Sequence, residues 1–408
     1  MLITLLACVS ILYLLMPLVQ KNMKKYIKDY CVGCGLCEAL GKAKCCEDER
    51  GFLHPESGDE EWLSSVCPSG GRQQAAMDFG KIWGKTQAVY YGWSKDEAVR
   101  RVASSGGIIT EIASWLLEHH SVDGVIHTCP DPDDETKTVS CISTTRDELI
   151  GRSGSRYSIS HPLSVMGMLD KTKRYAFIGK PCDIAALNNY ILIQPEVQNV
   201  IVVTLSFFCA GLPSRDAQDK LLSHLGCQKD KLKSLRYRGD GWPGYTTAVA
   251  MDGGVYRTDY PTSWGKILGR DIMKMCRFCL DGIGEAADIS CGDAWYLTED
   301  KKPDFSEGEG RNVVFARTEK GAELLQKVIQ DCKIEVQPAN MADIGCMQAY
   351  QRDRRASMID KLIAAKVLGK SVPRWKWTSI IKYGSHISFR RHLSILKGTL
   401  KRIVNGKI

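Results

Sequence analysis

Tyr175-Ala176-Phe177-Ile178-Gly179-Lys180-Pro181-Cys182-Asp183 compresses a strand, a break and the approach to a helix into one short stretch. Tyr175 to Ile178 has β-strand character, Gly179-Lys180-Pro181-Cys182 ends it, and a helix is expected from about Asp183. A second stretch, Val200 to Phe208, is apolar apart from Thr204 and Ser206, as strands inside a covered sheet are. It ends in Cys209-Ala210-Gly211-Leu212-Pro213, and Ser214 suits a helix cap. Cys182 and Cys209 therefore both follow the carboxyl ends of predicted strands, the edge at which open α/β sheets bind ligands.

Outward from this pair the alternation continues. Ile108-Ile109, Ile112-Ala113 and Leu116-Leu117 give a helix with one apolar face, and Val122 to Thr128 reads as a strand. Thr246 to Met251 and Val255 to Tyr260 flank Asp252-Gly253-Gly254, a hairpin signal. Asn312 to Arg317 is a further strand, with a helix after Gly321. The expected fold is α/β with antiparallel additions, without internal repeats. Four regions are expected: an apolar segment at 1–25, a small Cys- and Gly-rich domain at 26–80, a mixed α/β body at 81–345, and a basic tail at 346–408.

Cysteine spacing points to chemistry. Cys31, Cys34 and Cys37 form C-x-x-C-x-x-C, and Cys67-Pro68 follows. Three thiolates at this spacing with a distant Cys-Pro suit a 4Fe-4S cube. Zinc also takes four thiolates but usually pairs two separate C-x-x-C knuckles, so the cube is the better reading. Cys45 and Cys46 lie within the loop, and either could replace Cys67. Cys182, Cys209 and the knuckle Cys276-Arg277-Phe278-Cys279 could supply a second set of four, with Cys291 as a competing ligand. Cys8, Cys129, Cys141, Cys227, Cys332 and Cys346 have no partner spacing. Seventeen cysteines in a chain of 408 residues, odd in number and clustered in ligand spacings, argue against a secreted disulfide scaffold. A reducing, cytoplasmic setting is expected.

Two small-residue stretches could hold a phosphate. Ser104-Ser105-Gly106-Gly107 precedes the amphipathic helix, where free N–H groups and the helix dipole favour an anion. In Gly151-Arg152-Ser153-Gly154-Ser155-Arg156-Tyr157, the arginines suit a pyrophosphate and Tyr157 could flank a planar ring. Arg236, Arg238, Trp242 and Pro243 form a third patch suited to a flavin or substrate. An ordinary surface loop or helix cap is the competing reading of each. Walker, Rossmann, serine-hydrolase and zinc-protease signatures are absent from the sequence, and His54, His119, His120, His127 and His161 lack metal spacing.

Charge is concentrated near the C-terminus. Residues 361 to 408 hold twelve Lys or Arg and no Asp or Glu, interleaved with Trp375, Trp377, Tyr383 and Phe389. An anionic membrane surface or an acidic partner would suit this pattern, as would a tail that packs its aromatics on the body; no nucleic-acid motif accompanies it. Met1 to Val19 is almost wholly apolar and Lys21, Lys24 and Lys25 follow. It reads either as an anchor that keeps the body cytoplasmic or as sequence upstream of a true start at Met23.

In order along the chain, these motifs resemble the coenzyme F420 hydrogenase/dehydrogenase beta-subunit family. The carrying segments include Ala103-Ser104-Ser105-Gly106-Gly107, Gly154-Ser155-Arg156-Tyr157, Gly179-Lys180-Pro181-Cys182-Asp183, Phe208-Cys209-Ala210-Gly211-Leu212-Pro213-Ser214 and Cys276-x-x-Cys279 through Gly292-Asp293-Ala294-Trp295. The resemblance implies an oxidoreductase with FAD in the 81–345 body and one or two 4Fe-4S clusters, the first in the 26–80 domain. It would relay electrons between a reduced carrier, ferredoxin or deazaflavin, and a substrate or partner. The second cluster would be held by Cys182, Cys209, Cys276 and Cys279. Some family members reduce chlorophyll intermediates, and many bacterial ones accompany surface-polysaccharide genes. Departures are the single ferredoxin-type motif, Cys291 where an apolar residue is expected, and the chain's two ends. A non-catalytic electron-transfer or docking subunit is the alternative, and homo-oligomerisation stays open.

Overall fold

The computed structural model describes residues 23–70, 81–373, 375 and 377–405. The apolar stretch from Met1 to Val19 lies outside them. A hairpin of β1 (Ala43–Glu47) and β2 (Leu53–Gly58) precedes the main body. The body strands are β3 (Ala88–Ser94), β4 (Gly124–Pro130), β5 (Thr138–Ser143), β6 (Tyr175–Gly179) and β7 (Ile201–Phe207). They are followed by β8 (Leu232–Arg236), β9 (Thr246–Ala250), β10 (Val255–Thr258), β11 (Ile289–Asp293), β12 (Asn312–Ala316) and β13 (Ile334–Pro338). One eight-stranded sheet runs β13-β3-β12-β11-β7-β6-β4-β5, and β8 to β10 form a separate three-stranded sheet.

At the centre, β4, β6, β7 and β11 are parallel. Antiparallel β5 closes one side, and β12, β3 and β13 extend the other. The apolar runs of β6 and β7 are buried because they sit here with both faces covered. β6 breaks at Gly179, where a Cβ would press on the Phe177 ring at 2.6 Å. Pro181 then opens a helix as its first residue, two positions before the predicted start, while Asp183 Oδ2 accepts the Lys180 N–H at 2.9 Å. The predicted helix and hairpin occupy Ile108–Glu118 and β9–β10.

The ends of the described chain meet. Helices α1 (Met23–Tyr30), α2 (Glu60–Val66), α3 (Ile108–Glu118) and α4 (Pro181–Ile193) are followed near the C-terminus by α5 (Ala349–Ala356), α6 (Met358–Val367), α7 (Trp377–Gly384) and α8 (Phe389–Val404). Ile27, Tyr30 and Val32 share one core with Met358, Leu362, Trp375, Ile380, Tyr383 and Ile403. Each large apolar side chain so buried stabilises the fold by roughly 1.5–3 kcal/mol. Tyr30 donates to the Ser371 carbonyl at 2.5 Å, and His392 lies 2.9 Å from Asp360, fastening α8 to α6.

The described residues of 346–405 form packed helices, in line with the reading in which the aromatics pack on the body, and Trp375 is buried with its Nε1 donating to the Phe278 carbonyl at 3.0 Å. From the 26–80 segment, Ile27, Tyr30, Val32, Phe52 and Leu63 share a core with residues from 212 to 403. Among the described residues no helix is long and apolar enough to cross a membrane.

Candidate redox site

A cavity of about 640 Å³ opens at the carboxyl edge of the parallel strands. Gly179 of β6, Phe207 of β7 and Cys291 to Asp293 of β11 reach its wall, together with Asn312 at the start of β12. Of the predicted anion-binding residues, Ser104, Ser105, Gly107, Ser153, Gly154, Ser155, Arg156 and Tyr157 line it. The two stretches touch directly, because the Ser155 N–H donates to Ser104 Oγ. Gly107 takes φ +80° at the start of α3, aiming that helix's first turn at the cavity. Asn312 holds this corner by accepting the Ile108 N–H at 3.4 Å and donating to the Gly292 carbonyl at 3.2 Å.

Gly106 departs from the expectation. It is absent from the lining, and a Cβ there would lie 2.6 Å from Gly92 O and 2.8 Å from Asn312 N. Its smallness serves packing against β3 and β12, so a bulky substitution would damage the sheet rather than a phosphate contact alone. Arg156 also departs. Its guanidinium donates to the carbonyls of Leu235, Glu135 and Lys137 at 2.7–3.0 Å and to Thr138 Oγ1 at 3.2 Å. Those bonds use the fork that was expected to take a pyrophosphate. Ser153 instead has a free group: its Oγ is shielded from solvent and unpartnered.

Aromatic rings form another wall. Tyr157 packs against Trp264, with centroids 4.8 Å apart, and Tyr260 against Trp295 at 5.5 Å. Arg238, buried, stacks over Tyr260 and Trp295 and makes paired 3.0 Å bonds to Asp293. Trp242 Nε1 donates to the same carboxylate at 3.0 Å. The Arg238–Trp242 patch is thus a brace for Asp293. His127, in the cavity lining, lies 2.8 Å from Ser143 Oγ and is pushed down to about 4 by burial and by Arg152.

Below the cavity, Cys182, Cys209, Cys276 and Cys279 share one electrostatic neighbourhood. Cys182 rides in the first turn of α4 and Cys209 follows β7; Cys209 also lines the cavity. Burial pushes the Cys276 thiol up to about 12, reinforced by Cys209 and Cys279. Lys180 stands beside Cys182 and Cys209 and pairs with Asp183 at 2.9 Å. Cys291 is separate: it is buried within β11, packed among the sheet's aliphatic residues, with Arg317 as its charged neighbour.

The first set, Cys31, Cys34, Cys37 and Cys67, lines a second, smaller cavity beside α1 and α2. Gly33 and Gly35 take φ +66° and +82°, which lets the chain coil tightly between the thiols. His161 Nδ1 bonds the Gly33 carbonyl at 2.9 Å, and the Leu163 N–H donates to Cys34 O at 2.9 Å, fixing the loop to the body. Burial raises Cys31, Cys34 and Cys67, and contact with Cys45, then burial, raises Cys37. Cys45 lines the same cavity with its sulfur 3.6 Å from Cys37, whereas Cys46 turns to His54 at 3.4 Å. Among the described residues no three ligating side chains close on an ion-sized point; the first thiol set lines a small cavity, and of the second set Cys209 lines the large one.

Sequence reasoning missed Asn312 and Arg354. Asn312 carries no local motif. Arg354, on α5, lies near Cys209, Cys276 and Cys279, and only tertiary packing brings it there.

Two protein-family models match the chain: the coenzyme F420 hydrogenase/dehydrogenase beta subunit N-term over residues 89–166, and its C terminus over 172–354. The chloroplastic 7-hydroxymethyl chlorophyll a reductase of Oryza sativa subsp. japonica is 25% identical over 304 residues, covering 74% of this chain and 61% of that protein. The coenzyme F420 hydrogenase subunit beta of Methanosarcina barkeri is 25% identical over 253 residues, 60% of this chain and 79% of that one. A chain of the F420-reducing NiFe hydrogenase complex from Methanosarcina barkeri superposes with a TM-score of 0.57 at 20% identity, covering 72% of this chain and 98% of the other. At that identity the superposition speaks for the fold, a large mixed sheet common to both.

Proposed function

From a chain that belongs to the coenzyme F420 hydrogenase/dehydrogenase beta-subunit family, we propose an iron–sulfur flavoprotein oxidoreductase that relays electrons between a reduced carrier and a substrate or partner. Relatives whose names are those of a reductase and a hydrogenase subunit support oxidoreductase chemistry. The carrying observation is that Cys209 belongs both to the buried thiol set and to the cavity wall. A redox group in that cavity would lie against a residue of the thiol set.

In this reading Cys31, Cys34, Cys37 and Cys67 hold one 4Fe-4S cluster, and Cys182, Cys209, Cys276 and Cys279 hold the other. Four thiols per set match the cube's ligand number. FAD takes the cavity, with its phosphates at the start of α3. There the first-turn N–H groups and the unpartnered Ser153 hydroxyl are the donors, and Ser104 holds the Ser153–Tyr157 loop in place. Tyr157, Tyr260, Trp264 and Trp295 offer ring faces and exclude water. FAD supplies exchange between two-electron and one-electron transfer, and the clusters supply one-electron transfer. Asp293, fixed by Arg238 and Trp242, places a hydrogen-bond-accepting carboxylate at the cavity wall beside the ring.

Anaerobic purification with metal, sulfide and flavin analysis tests this reading. About eight irons per chain are expected, from two cubes of four, with one FAD. Zinc in place of iron, or a cavity that retains no flavin under any reconstitution, overturns it.

A further inference from the structure

The buried cations near the second thiol set differ in one respect. Lys180 has a counter-charge in Asp183 at 2.9 Å. Arg355 has Glu285 at 2.8 Å and Asp281 at 3.6 Å. Arg354 has neither. It is 4% exposed, one terminal nitrogen donates to the neutral amide of Gln351 at 2.8 Å, and its Nε is shielded and unpartnered. Among the described residues no carboxylate pairs with it. Burial works against its charge, while Cys279, Tyr350, Cys209 and Cys276 favour it and turn the net shift upward.

The placement is built. Gly282 leaves the space that the guanidinium fills, since a Cβ there would fall 1.2 Å from Arg354 Nη2 and 2.3 Å from Gln351 Oε1. Gln351 donates in turn to the Cys209 carbonyl at 3.1 Å, so the Arg–Gln pair is mounted on a thiol-bearing loop. A buried guanidinium without a counter-ion is strongly unfavourable, and arginine cannot escape by losing its proton. Three of the groups that favour its charge, Cys279, Cys209 and Cys276, belong to one thiol set, while neighbouring Lys361 adds a like charge. Four thiolates around a cube leave the assembly anionic, and each electron it accepts makes it more so.

We propose that Arg354 is the buried counter-charge of the cluster held by Cys182, Cys209, Cys276 and Cys279, and that it raises that cluster's reduction potential by favouring the reduced state. This rests on reading those four cysteines as cluster ligands. One electron enters the cluster, and the guanidinium keeps its proton in both states. Arg354 acts through the cluster and is a positioning residue for charge.

The test is a potentiometric titration followed by electron paramagnetic resonance, with iron and sulfide analysis, on the anaerobically loaded full chain and its Arg354→Gln and Arg354→Lys variants. Arg354→Gln is expected to keep its iron. At the wild-type midpoint the reduced-to-oxidised ratio of one cluster should fall at least tenfold, which is 59 mV for a one-electron couple, with Arg354→Lys recovering most of it. Full iron with an unmoved midpoint in Arg354→Gln overturns the proposal. If Arg354→Gln loses four irons, retention by Arg354→Lys supports a charge role, and loss by both overturns it. Wild-type protein carrying only four irons removes the cluster reading itself, and is seen before any variant is measured.

Discussion

Cys31, Cys34 and Cys37 come from seven consecutive residues and meet Cys67 across one hairpin and one helix. Cys182, Cys209, Cys276 and Cys279 come from the start of α4, the end of β7 and a distant knuckle. The charges around them differ as well. The first set feels chiefly its own thiols, Cys45 and Asp183, with no cation among its leading influences. The second has Lys180 and Arg354 within reach. Asp183 acts on Cys34 and on Cys182, so the two sets are neighbours that share one carboxylate. Local sequence builds the first site, whereas the fold builds the second and supplies it with positive charge.

The largest effect should come from separating the sets. Cys31→Ser and Cys209→Ser are each expected to lose about four irons per chain, and the double variant nearly all. If either single change empties both sites, the sets are not independent. Stability should part them further. Cys209→Ser removes a link between the end of β7 and the 276–279 knuckle, so it should lower the unfolding temperature more than Cys31→Ser in anaerobic calorimetry.

Next is the potential. With cations beside only the second set, its cluster should titrate at the more positive potential, and Arg354→Gln should narrow the gap. A first cluster that titrates above the second would contradict the charge distribution described here.

A smaller effect separates packing glycines from cavity glycines. Gly106→Ala forces a Cβ against backbone atoms of β3 and β12 and should cost about 1–3 kcal/mol of stability. Ser104→Ala should leave stability nearly unchanged but weaken flavin retention, because the Ser155 N–H loses its acceptor. Equal flavin retention in Ser104→Ala and wild type would count against the phosphate assignment.

His127 provides the smallest effect and touches neither thiol set. Its folded value, about 4, lies below the ordinary 6.5, so the unfolded chain binds more protons between these values. The associated stability is full above about pH 6.5 and is lost as pH falls toward 4. Its ceiling is on the order of 3 kcal/mol. His127→Gln should flatten that slope in denaturant titrations across the window; an unchanged slope would assign it to other groups.

Much of this was legible where local spacing carries the information. The C-x-x-C-x-x-C run, β6, β7, the β9–β10 hairpin and the start of α3 all stand where the residues implied. The region 346–408 was read as a tail because its charge dominates its composition. Met358, Leu362 and Ala365 nonetheless recur at helical spacing and are buried, and that pattern was available. Arg156 and Gly106 show the opposite limit: their types suited a phosphate, but distant carbonyls and strands had prior use of them. No sequence signal ties Arg354 to Gly282, because only the fold superimposes them.

The Tyr30–Ser371 hydrogen bond joins residues 341 positions apart. At roughly 5–20 residues per second of translation, the cysteine run beside Tyr30 leaves the ribosome tens of seconds before the segment that seals it is made. During that interval the nascent thiols are open to solvent and to metal donors. Cluster loading can therefore precede closure, and docking of the late helices would then lock in a site that was filled while exposed.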